Sequence, residues 1–410
     1  LFPRLAQHSQ EATMPDCCEQ GTKRTMTLIN RYPAISDLEE KARRRTPHFA
    51  WEYLTSGTGR EELLRRNIDA LQAIEMTPEV LPGKLKPDTK VELFGRNYDL
   101  PFGSAPVGMS GLMWPGAEKI LARAAAKHNF VFCLSTVACE SPETVAEIAG
   151  ENAWFQLYPT RDQNTQKDLI RRAKAAGIRT VLLTVDVPVG SRRERQLRAG
   201  LAMPPRVTAK TLWRVACRPS WALATLSYGQ PRFRALEPYF SNSNNTGAMR
   251  SPADFVDGLQ GWEFVEQMRD AWDGNLIVKG ILRPEEAERS IAIGAEGVVV
   301  SNHGGRQFDG APASIDVLPD IVAAAGGRTK ILFDSGLRGG LDIARALALG
   351  ADFCLLGRAF LFAAAALGER GGDHAAEILK LDLVNAMIQL GAKDIADLRR
   401  YAPSSMAAGR

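Results

Sequence analysis

Residues 276–304, LIVKGILRPEEAERSIAIGAEGVVVSNHG, carry the repeat from which the fold is read. Residues 276–281 form one short apolar run, and residues 297–300 form another with three consecutive valines. Strands this uniformly apolar are buried on both faces, the condition of a parallel sheet covered by helices. Between them PEEAERSIAIG opens on a proline and two acids, as a helix N-terminus prefers, and closes on Gly294, suited to a left-handed C-cap. The stretch is a strand–helix–strand unit. Its second strand runs directly into Ser301, Asn302, His303, two glycines and Arg306, which sets an imidazole and a guanidinium at the carboxyl end of a core strand.

Outward from this unit the same pattern recurs from about Pro101 onward. The strand candidates are FGSAPVG, VFCLST, NAWFQLYP, RTVLLTVD, LIVKGI, GVVVSNHG, KILFDSG and FCLLGR, and amphipathic stretches such as GAEKILARAAAKH, QKDLIRRAKAAG and GLDIARALALG follow them. Eight βα units in one run predict an α/β protein with a closed (β/α)8 TIM barrel. An open dinucleotide-binding sheet would need fewer units and a GxGxxG turn after its first strand, which the chain lacks. The expected division is an N-terminal helical segment at 26–100 packed on the barrel, the barrel at 101–385, and a C-terminal helix and tail at 386–410. After the fourth strand, residues 187–259 form a long insertion rich in Pro, Trp and Arg, of a length usual for lids or attachment surfaces. Residues 1–25 lack the apolar core of a signal peptide and read as a disordered extension, with Met26 a natural start.

The composition is that of an ordinary globular protein, 45% hydrophobic and 24% charged, with no window of membrane-spanning apolar length. Its net charge of +4 is modest, and the basic residues are dispersed apart from KARRR and SRRER, which argues against a nucleic-acid surface. The six cysteines include no CxxC pair, so neither a metal site nor a disulfide framework is expected, and a reducing cytoplasmic setting fits.

Polar residues gather where the strands end. Gln156 and Tyr158, Thr184 and Asp186, Lys279, Ser301 and His303, Asp334, and Gly357 with Arg358 all fall at predicted carboxyl ends, the face where barrel enzymes carry their chemistry. A single such residue is more often structural; contributions from this many strands together are hard to explain as packing. The loops DSGLRGG and LLGRAF, after strands seven and eight, suit a phosphate cradle in which Gly336, Gly339 and Gly357 bring backbone N–H groups close and Arg338 and Arg358 supply charge. A flat phosphorylated cofactor across the barrel mouth follows, and on these grounds alone flavin mononucleotide and pyridoxal phosphate both qualify. In the second case Lys279 would form the Schiff base.

The strings SNHGGRQFDG, WFQLY, LTVDVP followed by RRER, IVKGI and DSGLRGG resemble the FMN-dependent α-hydroxy-acid dehydrogenase and oxidase family, over nearly the whole chain from about Ile29. The resemblance implies a (β/α)8 barrel, noncovalent FMN and a small 2-hydroxy acid as substrate. It implies His303 as catalytic base supported by Asp186, Arg193 and Arg306 as carboxylate ligands, and Tyr53 and Tyr158 as phenols bonding the substrate. Lys279 would sit against the pyrimidine end of the flavin. Ala105, Pro106, Val107, Ser135, Gln156, Thr184 and Ser301 correspond to ring-contacting positions, and Asp334, Gly336, Arg338, Gly357 and Arg358 to the ribityl-phosphate site. Homotetramers are common in the family, and a homotetramer is expected.

Family members differ in electron acceptor. With so short a stretch before the barrel no haem domain is expected, and the two readings are a dehydrogenase passing electrons to a membrane quinone or similar carrier, and an oxidase making hydrogen peroxide. Gly108 stands where family oxidases commonly carry alanine, which favours the dehydrogenase and leaves room for a larger substrate side chain. Within the insertion Trp213, Trp221, Leu223, Leu226 and Tyr228 mingle with Arg214, Arg218, Arg232 and Arg234, a mixture suited to a membrane interface through residues 205–250. The expected location is therefore cytoplasmic, on the inner face of the membrane. A lid that buries its tryptophans on the barrel is the competing reading. Motifs point to both substrates: GLMWPGAE and RRER look closer to mandelate dehydrogenase, APVG, LSTVACESPE and VKGILRPEEA to bacterial L-lactate dehydrogenase.

Overall fold

The computed structural model describes residues 28–200, 208–240 and 255–402. The extension expected at 1–25 lies outside the described residues, as do parts of the insertion. Eight parallel strands close into a barrel in chain order: β1 (Phe102–Ser104), β2 (Phe132–Ser135), β3 (Ala153–Leu157), β4 (Thr180–Thr184), β5 (Asn275–Ile281), β6 (Gly297–Val300), β7 (Lys330–Phe333) and β8 (Phe353–Leu356). β8 pairs with β1 through Cys354 opposite Phe102, so no edge is left. All eight predicted strands and the helices between them are in place.

The strands sort their side chains by alternation. Val131, Cys133, Trp154, Leu182, Ile277, Val299, Leu332, Phe353 and Leu355 form one buried cluster that fills the barrel. Their neighbours Phe155, Val181, Leu183, Val278, Val298 and Val300 belong to the second cluster, beneath the helices. Two residues further along a strand returns to the same face. The inward row therefore passes from Cys133 to Ser135, Trp154 to Gln156, Leu182 to Thr184, Ile277 to Lys279, Val299 to Ser301 and Leu332 to Asp334. These six strands are apolar where the barrel is filled and polar at the carboxyl mouth, and that switch positions the site.

The segment before the barrel departs from a purely helical reading. It holds helices, among them α1 (Ile35–Arg45), α2 (His48–Thr55) and α3 (Glu62–Gln72), but also an antiparallel hairpin of Val91–Leu93 and Arg96–Tyr98. Phe94 and Gly95 form its turn with positive φ at both residues, 54° and 79°. Asn-Gly or Asp-Gly is the usual signal for such a turn, so Phe-Gly conceals it. The hairpin closes the amino end of the barrel, with Tyr98 Oη accepting from Trp154 Nε1 at 3.2 Å.

Helix Gly371–Gln389 runs through the boundary expected at 385/386, because the sequence holds no breaker there until Gly391. A 3-10 turn, Ala396–Tyr401, follows it. The insertion carries helices Glu194–Arg198, Ala209–Ala216, Pro219–Tyr228 and Glu237–Phe240. Trp221 is buried, its Nε1 donating to the Leu112 carbonyl at 3.1 Å, and the Tyr228 hydroxyl bonds Glu369 at 2.5 Å. These two residues, grouped with the interfacial ones by composition, fasten the insertion to the barrel. Trp213, Leu223 and Leu226 are 72%, 66% and 82% exposed, so the insertion is part clasp and part free apolar face. No helix among the described residues is long and apolar enough to cross a membrane.

Candidate active site

At the carboxyl mouth lies a cavity of about 690 Å³, inside the range of small-molecule and cofactor sites. Strand ends and their loops supply Ala105, Pro106, Val107, Gly108, Tyr158, Thr184, Lys279, His303, Arg306, Asp334, Gly336, Arg338, Gly357 and Arg358. Tyr53 enters from α2 and Arg193 from the insertion, whose Val187, Val189, Leu197, Phe233, Val256 and Leu259 make the outer wall apolar.

His303 lies in the turn after β6 with φ of 58°, between a β-strand and two glycines at 64° and 75°. A Cβ on Gly305 would stand 2.9 Å from the backbone of Leu64, so that position takes glycine for space as well as for conformation. The turn brings His303 Nδ1 to 2.9 Å from Asp186 Oδ1, beyond the end of β4. Burial pulls the imidazole pKa below its ordinary value against the opposing pull of Asp186, with Lys279 and Arg193 adding to the downward shift. The ring is neutral at pH 7, and Nδ1–H donating to the carboxylate leaves Nε2 as the basic nitrogen.

Cations crowd the same space. Arg193 Nε is 3.1 Å from Ser191 Oγ, and Arg306 Nη1 donates to the carbonyls of Leu54 and Ser56 at 3.2 and 2.8 Å while its guanidinium lies over the Tyr53 ring, 5.6 Å from the centroid. Burial, with Arg193 close by, pulls Arg306 down to about 9. Tyr53 Oη donates to the Gly108 carbonyl at 2.9 Å, and burial raises both Tyr53 and Tyr158, which stay protonated donors. Arg358 is pushed well below the usual arginine range by burial and by Arg338, Arg306, Arg193 and Arg195. Such a gathering of buried guanidiniums fits two anionic groups, one near Arg193 and Arg306 and one near Arg338 and Arg358.

Under this lies a polar floor. Lys279 Nζ is 3.0 Å from Asp334 Oδ2 and donates to Ser301 Oγ at 2.7 Å; the carboxylates of Asp334 and Asp186 outweigh burial and raise its pKa. Ser135 Oγ donates to Gln156 Oε1 at 2.8 Å, leaving Gln156 Nε2 buried with no protein partner, and Thr184 Oγ1 is unpaired too. A buried donor without an acceptor is costly unless a ligand satisfies it. The amide of Gln156, the hydroxyl of Thr184, the ammonium of Lys279 and the cations at the rim suit a planar heterocycle with several acceptors and a phosphate, which is the chemistry of FMN. The bonded Lys279–Asp334 pair also keeps that amine charged, unlike a Schiff-base lysine.

The model of the family described as FMN-dependent dehydrogenase matches residues 42–404. The chain belongs to that family. It is an oxidoreductase whose cofactor is FMN. The L-lactate dehydrogenase of Ectopseudomonas mendocina (strain ymp) is 39% identical over 373 residues, covering 89% of this chain and 97% of the relative. That of Caulobacter vibrioides (strain NA1000 / CB15N) is 39% identical over 368 residues, covering 89% and 96%. Among solved structures, the monotopic membrane protein (S)-mandelate dehydrogenase superposes with a TM-score of 0.84 at 34% identity, over 90% of this chain and 98% of that one. A mandelate oxidase superposes at 0.76 with 36% identity, over 90% and 97%.

Within the family frame, several residues sit differently from a simple strand-end reading. Ser135, Gln156 and Ser301 are buried at the ends of their strands rather than exposed on the cavity surface, and Asp186 is hydrogen-bonded to His303. Arg358 donates to the carbonyls of Leu54, Gly304 and Ser56 at 3.1, 3.1 and 3.3 Å, so it also ties the end of α2 to the His303 turn. Arg338 Nη1 donates to its neighbour Leu337, and its backbone N–H to Asp342. Sequence reading passed over Ser335, whose Oγ accepts from Gly304 N at 3.1 Å and donates to Asp334 Oδ1 at 2.8 Å. It also passed over Arg195, which bridges Glu52 and Glu61 at 2.9 and 3.1 Å and ties the Arg193 loop to α2. Ser335 lies inside DSGLRGG and Arg195 inside RRER, but neither motif reveals its partner.

Proposed function

We propose that this chain oxidises an L-2-hydroxy acid of the mandelate or lactate type to the 2-oxo acid and hands the electrons to a membrane quinone or similar carrier. The observation that carries this reading is the convergence of the His303–Asp186 pair with Arg193 and Arg306 in one cavity. Arg193 and Arg306 clamp the substrate carboxylate, and Tyr158, with Tyr53 once its hydroxyl turns from the Gly108 carbonyl, donates to the substrate oxygens, fixing the Cα–H in one orientation. His303 Nε2 takes one of the two protons that the oxidation releases, and Asp186 stabilises the resulting imidazolium in a water-poor site. FMN, when bound, supplies the two-electron sink. Lys279, Gln156, Thr184, Ser135 and Ser301, with Ala105, Pro106 and Val107, would hold its ring, and Asp334, Gly336, Arg338, Gly357 and Arg358 would hold its ribityl phosphate. The ammonium of Lys279, fixed by Asp334 and Ser301, would supply positive charge beside the ring.

The apolar outer wall suits an aryl side chain, in keeping with the mandelate-type structural relatives. The free face of Trp213, Leu223 and Leu226 suits a bilayer interface, where a quinone is found. A homotetramer in the cytoplasm, on the inner membrane face, completes the reading, and sedimentation velocity checks the assembly.

Anaerobic mixing with (S)-mandelate, L-lactate and glycolate tests the chemistry. Bleaching of the yellow flavin, fastest with mandelate, is expected; no bleaching with any of the three overturns it. Reoxidation by a quinone analogue much faster than by oxygen is expected, and rapid peroxide formation would make the enzyme an oxidase.

A further inference from the structure

The turn that aims His303 holds three consecutive residues in the left-handed region, a conformation natural for Gly304 and Gly305 but costly for a histidine. Such a conformation persists only where its surroundings over-determine it, and here they include a reciprocal amide pair. Asn67 Nδ2 donates to Asn302 Oδ1 at 2.9 Å, and Asn302 Nδ2 donates back to Asn67 Oδ1 at 2.6 Å. Asn302 further donates to the Pro312 carbonyl at 3.0 Å and accepts from Gly305 N at 3.2 Å; Asn67 Oδ1 also accepts from Ser314 N at 3.3 Å. Both side chains are buried, and Asn67 sits on α3, outside the barrel and 235 residues from its partner. From the other side Ser335 Oγ accepts from Asn302 N and Gly304 N.

We propose that Asn67 is a positioning residue for His303: through Asn302 its amide holds the left-handed turn that directs Nδ1 at Asp186. The inference rests on the reading of His303 as the base. Asn67 touches neither the imidazole nor the charged groups that act on it, Asp186, Lys279 and Arg193. Its effect passes through the backbone of the turn.

Asn67→Asp makes the idea testable through pH. A neutral carboxyl has one donor and one acceptor and reproduces the reciprocal pair; once ionised it only accepts, and it confronts Asn302 Oδ1. Burial raises the pKa of such a carboxyl, and its titration is read from the ratio of variant to parent rate at each pH, which cancels the titration of His303. Flavin reduction per bound FMN in Asn67→Asp should approach the parent rate at the acid end and fall roughly 10- to 100-fold below it as pH rises. Asn67→Leu should be slow throughout. In the apoprotein, the downfield Nδ1–H proton resonance of His303 should be present in the parent and lost in Asn67→Asp at high pH. Parent-like rates and pH profile per bound FMN, with the resonance intact and only thermal stability lowered, would overturn the proposal. Should Asn67→Leu fail to fold, Asn67→Asp at low pH keeps the pair and carries the test. Should no 2-hydroxy acid bleach the parent, the proposed function fails, while the resonance still decides whether Asn67 holds the turn.

Discussion

His303 Nδ1 and Asp186 Oδ1 lie 2.9 Å apart, although 117 residues separate them in the chain. Their approach depends on the register shift in β5 between Lys279 and Ile281, where Gly280 adopts φ of 112°. A Cβ on Gly280 would stand 2.5 Å from the Cβ of Asp186, so any other residue would push the carboxylate away from the imidazole. Burial tends to raise the Asp186 pKa, but His303 and Lys279 outweigh it and keep Asp186 ionised. The pair is a neutral base hydrogen-bonded to a fixed anion.

His303→Asn should therefore leave FMN bound and slow flavin reduction by roughly 10²–10⁴-fold, the usual worth of a positioned general base. Anaerobic single-turnover absorbance measures it. Rapid bleaching of that variant would remove His303 from its role.

The pH profile of kcat/KM has a definite sign on each side. His303 must be unprotonated to act, and its pKa is depressed, so activity falls with acid only below the ordinary imidazole range. Arg306 must be charged to hold the carboxylate, and burial with Arg193 nearby pulls its pKa down, so the alkaline fall in activity runs by way of KM. Initial rates from pH 5 to 10, taken in roughly half-unit steps, test both limbs.

Lys279→Met should damage the protein before chemistry is considered. It strips the cation from buried Asp334, which lies 3.0 Å away, and breaking a buried pair from one side costs about 3–5 kcal/mol. Denaturant melts of the apoprotein should show the loss without reference to flavin.

At Gly108 an added Cβ would lie 2.6 Å from Val137 Cγ2 and 3.4 Å from Tyr53 Oη. Gly108→Ala should shift both neighbours and raise KM, by about 10-fold for mandelate and less for lactate. Equal effects on the two substrates would remove Gly108 from specificity.

Joint replacement of Trp213, Leu223 and Leu226 by serine should abolish sedimentation with anionic lipid vesicles and leave dye-linked turnover unchanged. All three are exposed and away from the cavity wall. Unchanged vesicle binding would place membrane contact elsewhere.

Much of the fold was legible because its strands carry their burial in their composition: VVV at 298–300 or ILF at 331–333 belongs in a sheet covered on both faces. The hairpin was hidden by Phe94 at an unfavourable φ, and the run of helix through 385 by the absence of any breaker there. Trp221 and Trp213 show the limit of composition, since two tryptophans eight positions apart met opposite fates, one clasped to the Leu112 carbonyl and one exposed.

The sequence by itself determined the barrel and the polar rim, because strand alternation and the apolar-to-polar switch along six of the eight inward rows are local, periodic properties. It also marked His303, Asp186, Arg193, Arg306 and Lys279 as candidates. Only the tertiary structure decided which of them touch. Asn67 meets Asn302, Arg195 meets Glu52 and Glu61, and Arg358 meets the carbonyls at the end of α2 across gaps of more than a hundred residues. Hydrogen bonds and ion pairs of that kind need distant segments placed to within a few tenths of an ångström, and such placement exists only once the barrel has closed.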